Sequence, residues 1–167
     1  SLHLAQYSTT TDVAFINNAV SSYQAIGELR NQVLIDANAI ATEYEGDLQQ
    51  LVQLVDQVYG LSTDQIILTA IEQLRTSSQV SLAAQTIDKS LQRTFALVVY
   101  NRTTLVADRF SDFSVDALTL EWDRAYAAYL ALANTAAKGN IVLSEDRQTL
   151  QGGSDPDLEY QITLAFA

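Results

Sequence analysis

The side chains that most often do chemistry in proteins are scarce in this sequence. Cysteine is absent and His3 is the single histidine, which excludes a thiol nucleophile, a disulfide framework and a cysteine-ligated zinc site. A general base at His3 would lie in an irregular lead-in, where a catalytic geometry is hard to hold. The paired Glu-x-x-His motifs of helical di-metal sites do not occur. We therefore expect no enzyme activity, no catalytic residue, no metal site and no cofactor.

The acidic pairs offer little more for catalysis. Glu43 and Glu45, like Asp155 and Asp157, are two positions apart, and such residues point away from each other on a helix. Glycoside hydrolysis needs two carboxylates that face each other across a cleft. The oxygen-rich loop 154–159 could ligate calcium, but the full twelve-residue binding pattern is missing. Solvated acidic turns are the favoured interpretation of both features.

The charge balance limits the partners of the chain. Twenty acidic and nine basic residues give a net charge of −11, and no cluster of Lys and Arg is present to replace counterions on phosphates. We therefore expect no nucleic-acid partner. No run of 18 apolar residues occurs, so no membrane span is expected.

Charged residues make up only 17% of the chain, whereas about 25% is usual. Gln, Asn, Ser and Thr must therefore cover much of the surface, and such a surface costs little to desolvate when subunits associate. Methionine is absent even at position 1, which suggests a processed N-terminus. Together with the scarcity of lysine, this favours an extracellular or secreted location.

The apolar spacing predicts a mainly helical fold, a bundle of about four to five long amphipathic helices with a short C-terminal β-strand or hairpin. Val13 to Tyr59 is predicted to form one helix or two, with the break at 45–47 beside Gly46 and the end of the run at Gly60. A capping box at Ser62 and Gln65 begins the next helix, and Ser114 caps another. Within that last helix a coiled-coil-like seam recurs at steps of three and four: Val115, Leu118, Trp122, Ala125, Tyr129, Leu132 and Ala136.

The segment 95–107 is open to two interpretations. Its β-prone runs flank Asn101 and Arg102, which could form a hairpin turn, but the helical periodicity continues from 80 to 105 and favours a helix. The triplet Asn101-Arg102-Thr103 also matches the glycosylation sequon, a pattern that is common by chance.

The last thirty residues have a different pattern. Residues 1–139 are predicted to form the helical bundle, and 140–167 an extended tail that packs on the same domain or on a neighbouring subunit. A turn with the single proline precedes a period-two stretch, which predicts a terminal strand with one apolar face. The residues of that face are the predicted self-association site: Tyr160, Ile162, Leu164 and Phe166.

Two functions of different classes fit this sequence. The first is a non-enzymatic structural subunit that self-associates into an oligomer or filament through helix faces and the C-terminal strand, because a lone strand must find a partner for its backbone. The alternative is a helical-bundle carrier of an apolar small molecule or lipid. The predicted walls of such an apolar pocket are Phe15, Phe95, Trp122 and Tyr129.

Overall fold

The computed structural model describes residues 12–133, and this part of the chain folds as six α-helices. In chain order they are α1 (Val13–Arg30), α2 (Ala37–Tyr44), α3 (Asp47–Tyr59), α4 (Thr63–Thr76), α5 (Val80–Asp108) and α6 (Val115–Ala133). The prediction of a mainly helical bundle is confirmed. No strand occurs between residues 12 and 133, and the predicted strand and tail, 140–167, lie outside the described residues.

The run predicted as one or two helices forms three. Asp12 begins α1 by accepting a hydrogen bond from the backbone N–H of Phe15 at 2.7 Å. The break at 31–36 was not predicted. It follows the end of α1 at Arg30 and ends at Asp36, whose carboxylate caps α2. Val33, which continues the apolar spacing of the sequence, is fully exposed there. The apolar spacing concealed this break because Val33 happens to fall in register with the residues on both sides.

Glycine marks the next two helix boundaries, as predicted. Gly46 precedes α3 with φ 102° and Gly60 ends it with φ 65°, backbone conformations that residues with a Cβ rarely adopt. Gly27 is different, because it lies inside α1 and a Cβ there would meet no atom within 4 Å. It therefore marks neither a break nor a close helix crossing.

The start of α4 differs from the predicted capping box. Ser62 occupies the N-cap position but its side chain makes no capping hydrogen bond. Instead, the Asp56 carboxylate reaches from α3 and accepts hydrogen bonds from the backbone N–H groups of Thr63 and Asp64, at 3.0 and 2.9 Å. One carboxylate thus satisfies two of the free N–H groups at this helix start and joins α3 to α4.

The segment 95–107 lies within the uninterrupted helix α5, so the helical interpretation is confirmed and the hairpin turn at 101–102 does not form. Ser114 caps α6 as predicted, accepting from the backbone N–H of Ala117 at 3.2 Å. The loop 109–114 joins α5 and α6 into a helical hairpin.

The core lies where the apolar faces of all six helices meet. α5 packs mainly on α4 and α6, and α1 packs on α6, α3 and α2. Fully buried side chains include Ile16, Ile40, Leu48, Leu51, Ile67, Ile87, Leu91, Phe95 and Leu132. The predicted seam of α6 is buried only in its C-terminal half, since Val115 is 77% exposed whereas Ala125 and Leu132 are buried.

The capping geometry predicts different effects for two neighbouring substitutions. Asp56→Ala should lower the free energy of unfolding by about 1–2 kcal/mol, because it removes the acceptor of two backbone N–H groups. Ser62→Ala is the matched control and should change it by less than about 0.5 kcal/mol. Urea unfolding followed by circular dichroism measures both. Equal losses for the two variants would contradict the assignment of the cap to Asp56.

Candidate functional site

The predicted self-association residues, Tyr160, Ile162, Leu164 and Phe166, lie outside the described part of the chain. The four predicted pocket residues lie inside the described part, but their surroundings differ from one residue to the next. Phe95 is fully buried in the core, with its ring centroid 5.4 Å from that of Tyr23. Tyr129 is buried, whereas Trp122 and Phe15 are half-buried. Phe15 lines a surface groove, but none of the other three residues lines it. This groove therefore does not bring the four predicted pocket residues together.

A first groove runs between α4 and α5. Its volume is about 270 Å³, and we name it the α4–α5 groove after its lining residues: Ser62, Gln65, Ile66, Thr69, Ala70, Gln73 and Thr86. Ile66 is 47% exposed. Leu82, one turn before Thr86 on α5, is 57% exposed and extends the apolar surface. No lining residue of this groove carries a charge.

A second groove lies between α1 and α3. Its volume is about 300 Å³, and we name it the α1–α3 groove after its lining residues: Phe15, Gln50, Gln53, Leu54 and Gln57. It too is free of charged side chains. Charged side chains are therefore distributed unevenly over the surface. The linings of these two concave faces contain amide, hydroxyl and apolar groups only.

Two loops present further apolar side chains to solvent. Val33 and Leu34, between α1 and α2, are almost completely exposed. At the tip of the α5–α6 hairpin, Phe110 is 70% exposed, and every residue from 107 to 116 except Phe113 is exposed. Exposed apolar residues next to one another are typical of contact surfaces.

The interior contains polar clusters, the first of them around Asp88 on α5. This carboxylate is buried and accepts hydrogen bonds from the hydroxyl of Tyr23 at 3.0 Å and the amide of Gln92 at 2.8 Å. It also forms an ion pair with Arg30 at 2.6 Å. Because α1 supplies Tyr23 and Arg30, the cluster attaches the last two turns of α1 to α5.

A second cluster joins α2, α3 and the start of α4. The buried hydroxyl of Tyr44 donates to the Asp64 carboxylate at 2.6 Å, and the amides of Gln49 and Gln53 donate to the same carboxylate at 3.1 Å. Burial raises the pKa of Tyr44 well above its usual value, and the carboxylates of Asp64 and Asp56 raise it further.

The third cluster lies between α5 and α6, and we name Arg102, Glu121 and Arg124 the arginine cluster. Arg102 is fully buried, Glu121 is 4% exposed and Arg124 is 7% exposed. Arg102 Nη1 donates to one oxygen of Glu121 at 2.9 Å, and Arg124 Nη1 donates to the other. Ion pairs so fully withdrawn from water are uncommon.

Asn101 lies next to Arg102 and is 5% exposed. Burial raises the pKa of the nearby Tyr59. Because the folded protein covers the side chain of Asn101, the glycosylation sequon at 101–103 is not accessible within α5.

The arginine cluster was not predicted, although the sequence contains a signal for it. Arg102 follows Val98 by four residues and precedes Leu105 by three, so it occupies a position of the apolar stripe on α5. On α6, Glu121 follows Leu118 by three residues and precedes Ala125 by four, so it too occupies a position of an apolar stripe. Charged residues in register with a stripe on two consecutive helices indicate a buried pair.

Within residues 12–133, no group of three or more His, Asp or Glu side chains could hold a metal ion. Over the same residues, no helix is both long and apolar enough to cross a membrane.

The buried tyrosines predict a loss of stability in alkali. Above pH 10 the unfolded chain releases the phenolic protons, whereas burial beside carboxylates raises the pKa of Tyr23 and Tyr44 and keeps these protons on the folded chain. Each group should therefore lower the free energy of unfolding by about 1.4 kcal/mol per pH unit above pH 10.

In the variant Tyr44→Phe this alkaline slope should be shallower by about 1.4 kcal/mol per pH unit. At pH 7 the same variant should lose about 1–2 kcal/mol, because Asp64 loses a donor. Urea unfolding at pH 7 to 11.5 measures both quantities. An alkaline slope identical to that of the unsubstituted chain would contradict the burial of this hydroxyl.

Comparisons with known proteins provide no family for this chain. A scan against protein-family models, a search of curated proteins and a search of solved structures each gave no match. A functional proposal therefore depends on the chemistry of the surfaces and clusters described above.

Proposed function

We propose that this chain is a non-enzymatic structural subunit that self-associates into an oligomer or filament. The observation that carries the proposal is the absence of charge from the α4–α5 groove and the α1–α3 groove in a chain of net charge −11. Both grooves expose apolar side chains, among them Ile66 in the first and Phe15 in the second.

The electrostatics of association favour these faces. Two copies of a chain with this net charge repel each other, and the repulsion is greatest where acidic side chains approach closely. An uncharged face brings no like charges together and requires no ion to lose its hydration. The central part of protein–protein interfaces is accordingly depleted of charged residues.

The predicted C-terminal strand, with Tyr160, Ile162, Leu164 and Phe166 on one face, is the second contact of the proposal. A strand that pairs with a neighbouring subunit would satisfy its backbone groups and link protomers by β-augmentation. The scarcity of lysine supports an extracellular or secreted setting for the assembly.

A carrier of an apolar small molecule has less support. Of the four predicted pocket residues, Phe95 belongs to the core, and Phe15 lies in a groove with three glutamines. A volume of about 300 Å³ stands at the lower limit of ligand pockets, which are also more apolar.

Introducing charge into the α4–α5 groove tests the proposal. The double variant Ile66→Glu, Thr69→Glu should weaken self-association by at least about tenfold, because each carboxylate would be desolvated next to another acidic chain. Both residues are exposed, so the fold should persist. Sedimentation equilibrium over a concentration series measures the dissociation constant, and circular dichroism checks helicity.

The matched control is the double variant Thr119→Glu, Leu120→Glu, which adds two carboxylates at exposed positions of α6 outside both grooves. It should leave the dissociation constant within about twofold of the original value. Equal weakening by the control would show that net charge, rather than the groove, determines association. An unchanged constant for the groove variant would show that this face is not an interface.

A further inference from the structure

The loop between α1 and α2 protrudes from the bundle with apolar side chains at its tip. We name residues 31–34 the α1–α2 loop; all four are exposed and none is charged. Val33 is fully exposed and Leu34 is 85% exposed, so no part of residues 12–133 covers either side chain. Water contact with two neighbouring aliphatic side chains is unfavourable, so their burial against another molecule would stabilise a complex.

Contacts at both ends of the α1–α2 loop hold it in place. The backbone N–H groups of Asn31 and Gln32 donate to carbonyls of the last turn of α1, at 3.2 and 3.3 Å. Arg30, before the loop, forms an ion pair with Asp88 at 2.6 Å, and the Asp36 carboxylate after it caps α2. The charges that flank the loop are thus bound within the same molecule. A loop that is already ordered loses little conformational entropy on binding.

The α4–α5 groove has the shape and chemistry to receive such a loop. A concave face cannot be filled by another concave face, so its occupant must protrude. The groove has a volume of about 270 Å³, whereas a cavity of about 150 Å³ accommodates a benzene molecule, so there is room for two aliphatic side chains. Its walls combine the apolar Ile66 with the amides of Gln65 and Gln73, which match the apolar and amide groups of the loop.

We propose that the α1–α2 loop of one copy enters the α4–α5 groove of a second copy, an inference that rests on the self-association proposed above. The apolar side chains of the loop would pack on Ile66, and its two amides would bond to the polar groups of the groove. Neither surface carries a charge, so the contact brings no carboxylates together although each chain has a net charge of −11. Because loop and groove are different surfaces, one copy can bind two neighbours, and the contact can extend into a ring or a filament.

The tip of the α5–α6 hairpin is a less suitable occupant of the groove. Phe110 is 70% exposed there, but three carboxylates lie close to it in the sequence, at Asp108, Asp112 and Asp116. Arg109 is the one cation of residues 108–116, so the tip is net negative. Placing these carboxylates in an uncharged groove would remove their hydration next to an acidic chain. The uncharged α1–α2 loop avoids this cost.

Replacing the apolar residues of the loop tests the proposal in the full chain. The loop variant Val33→Ser, Leu34→Ser should raise the dissociation constant for self-association at least about tenfold, because two buried side chains are lost from the contact. Helicity and urea stability should be unchanged, since both side chains are exposed. The matched control is Phe110→Ser, which removes an exposed apolar side chain from the hairpin tip and should change the constant less than about twofold. Sedimentation equilibrium measures both constants.

Mixing two variants tests whether loop and groove contact each other. The loop variant keeps an intact groove, whereas the groove variant Ile66→Glu, Thr69→Glu keeps an intact loop, and each should associate weakly by itself. Their equimolar mixture should form mixed complexes with a dissociation constant at least about tenfold lower than that of either variant alone, since one loop–groove contact is restored in each pair. Fluorescence-detected sedimentation with one variant labelled measures this constant.

Four outcomes would overturn the proposal. A mixture that associates no more tightly than its components, or a loop variant that associates like the unsubstituted chain, would show that the loop does not enter the groove. A greater loss of association in Phe110→Ser than in the loop variant would assign the groove to the hairpin tip. A loop variant that loses urea stability but not association would show that Val33 and Leu34 pack within their own chain. An unsubstituted chain that is monomeric at all concentrations would instead overturn the proposed function, and this inference with it.

Discussion

Glu121 accepts one hydrogen bond from each of two buried guanidinium groups, and the arrangement of α5 and α6 depends on this bridge. Arg102 comes from α5, whereas Glu121 and Arg124 come from α6. A buried ion pair adds little net stability compared with an apolar replacement, but removing one partner costs about 3–5 kcal/mol because a charge is left behind. The bridge therefore acts mainly as a constraint, since any sliding or rotation of one helix against the other would separate buried charges.

The other polar clusters extend the same constraint through the bundle. Asp88 attaches α1 to α5 through Tyr23 and Arg30, while Asp64 and Asp56 connect α2, α3 and α4. Apolar burial supplies the driving force for folding, but it permits many similar packings. The hydrogen bonds of these clusters are directional, and they restrict the helices to one of these packings.

The helical fold followed from the sequence because the apolar spacing is regular over most of residues 13–133. Gly60 and Ser114 allowed two helix boundaries to be predicted, because the signals are local to the chain. Gly60 adopts a left-handed backbone conformation, and the hydroxyl of Ser114 caps a helix. The break at 31–36 was missed because Val33 continued the spacing by coincidence. The cap of α4 was assigned to Ser62 because a carboxylate supplied by another helix cannot be recognised from neighbouring residues.

The candidate surfaces were predictable only in part. A low charge content indicated contact surfaces, but which faces lack charge depends on how the helices pack. To predict the arginine cluster, Arg102 would have had to be paired with Glu121, which is nineteen residues away in the sequence. Tyr160, Ile162, Leu164 and Phe166 remain a prediction, as does the apolar pocket.

Self-association is the central functional claim, and the mass of the unmodified chain in solution tests it most directly. Multi-angle light scattering should be recorded over a hundredfold range of protein concentration at moderate ionic strength. We expect a mass that is a multiple of 18.3 kDa, or one that rises towards such a multiple with concentration. A constant mass of 18.3 kDa over the whole range would contradict the claim.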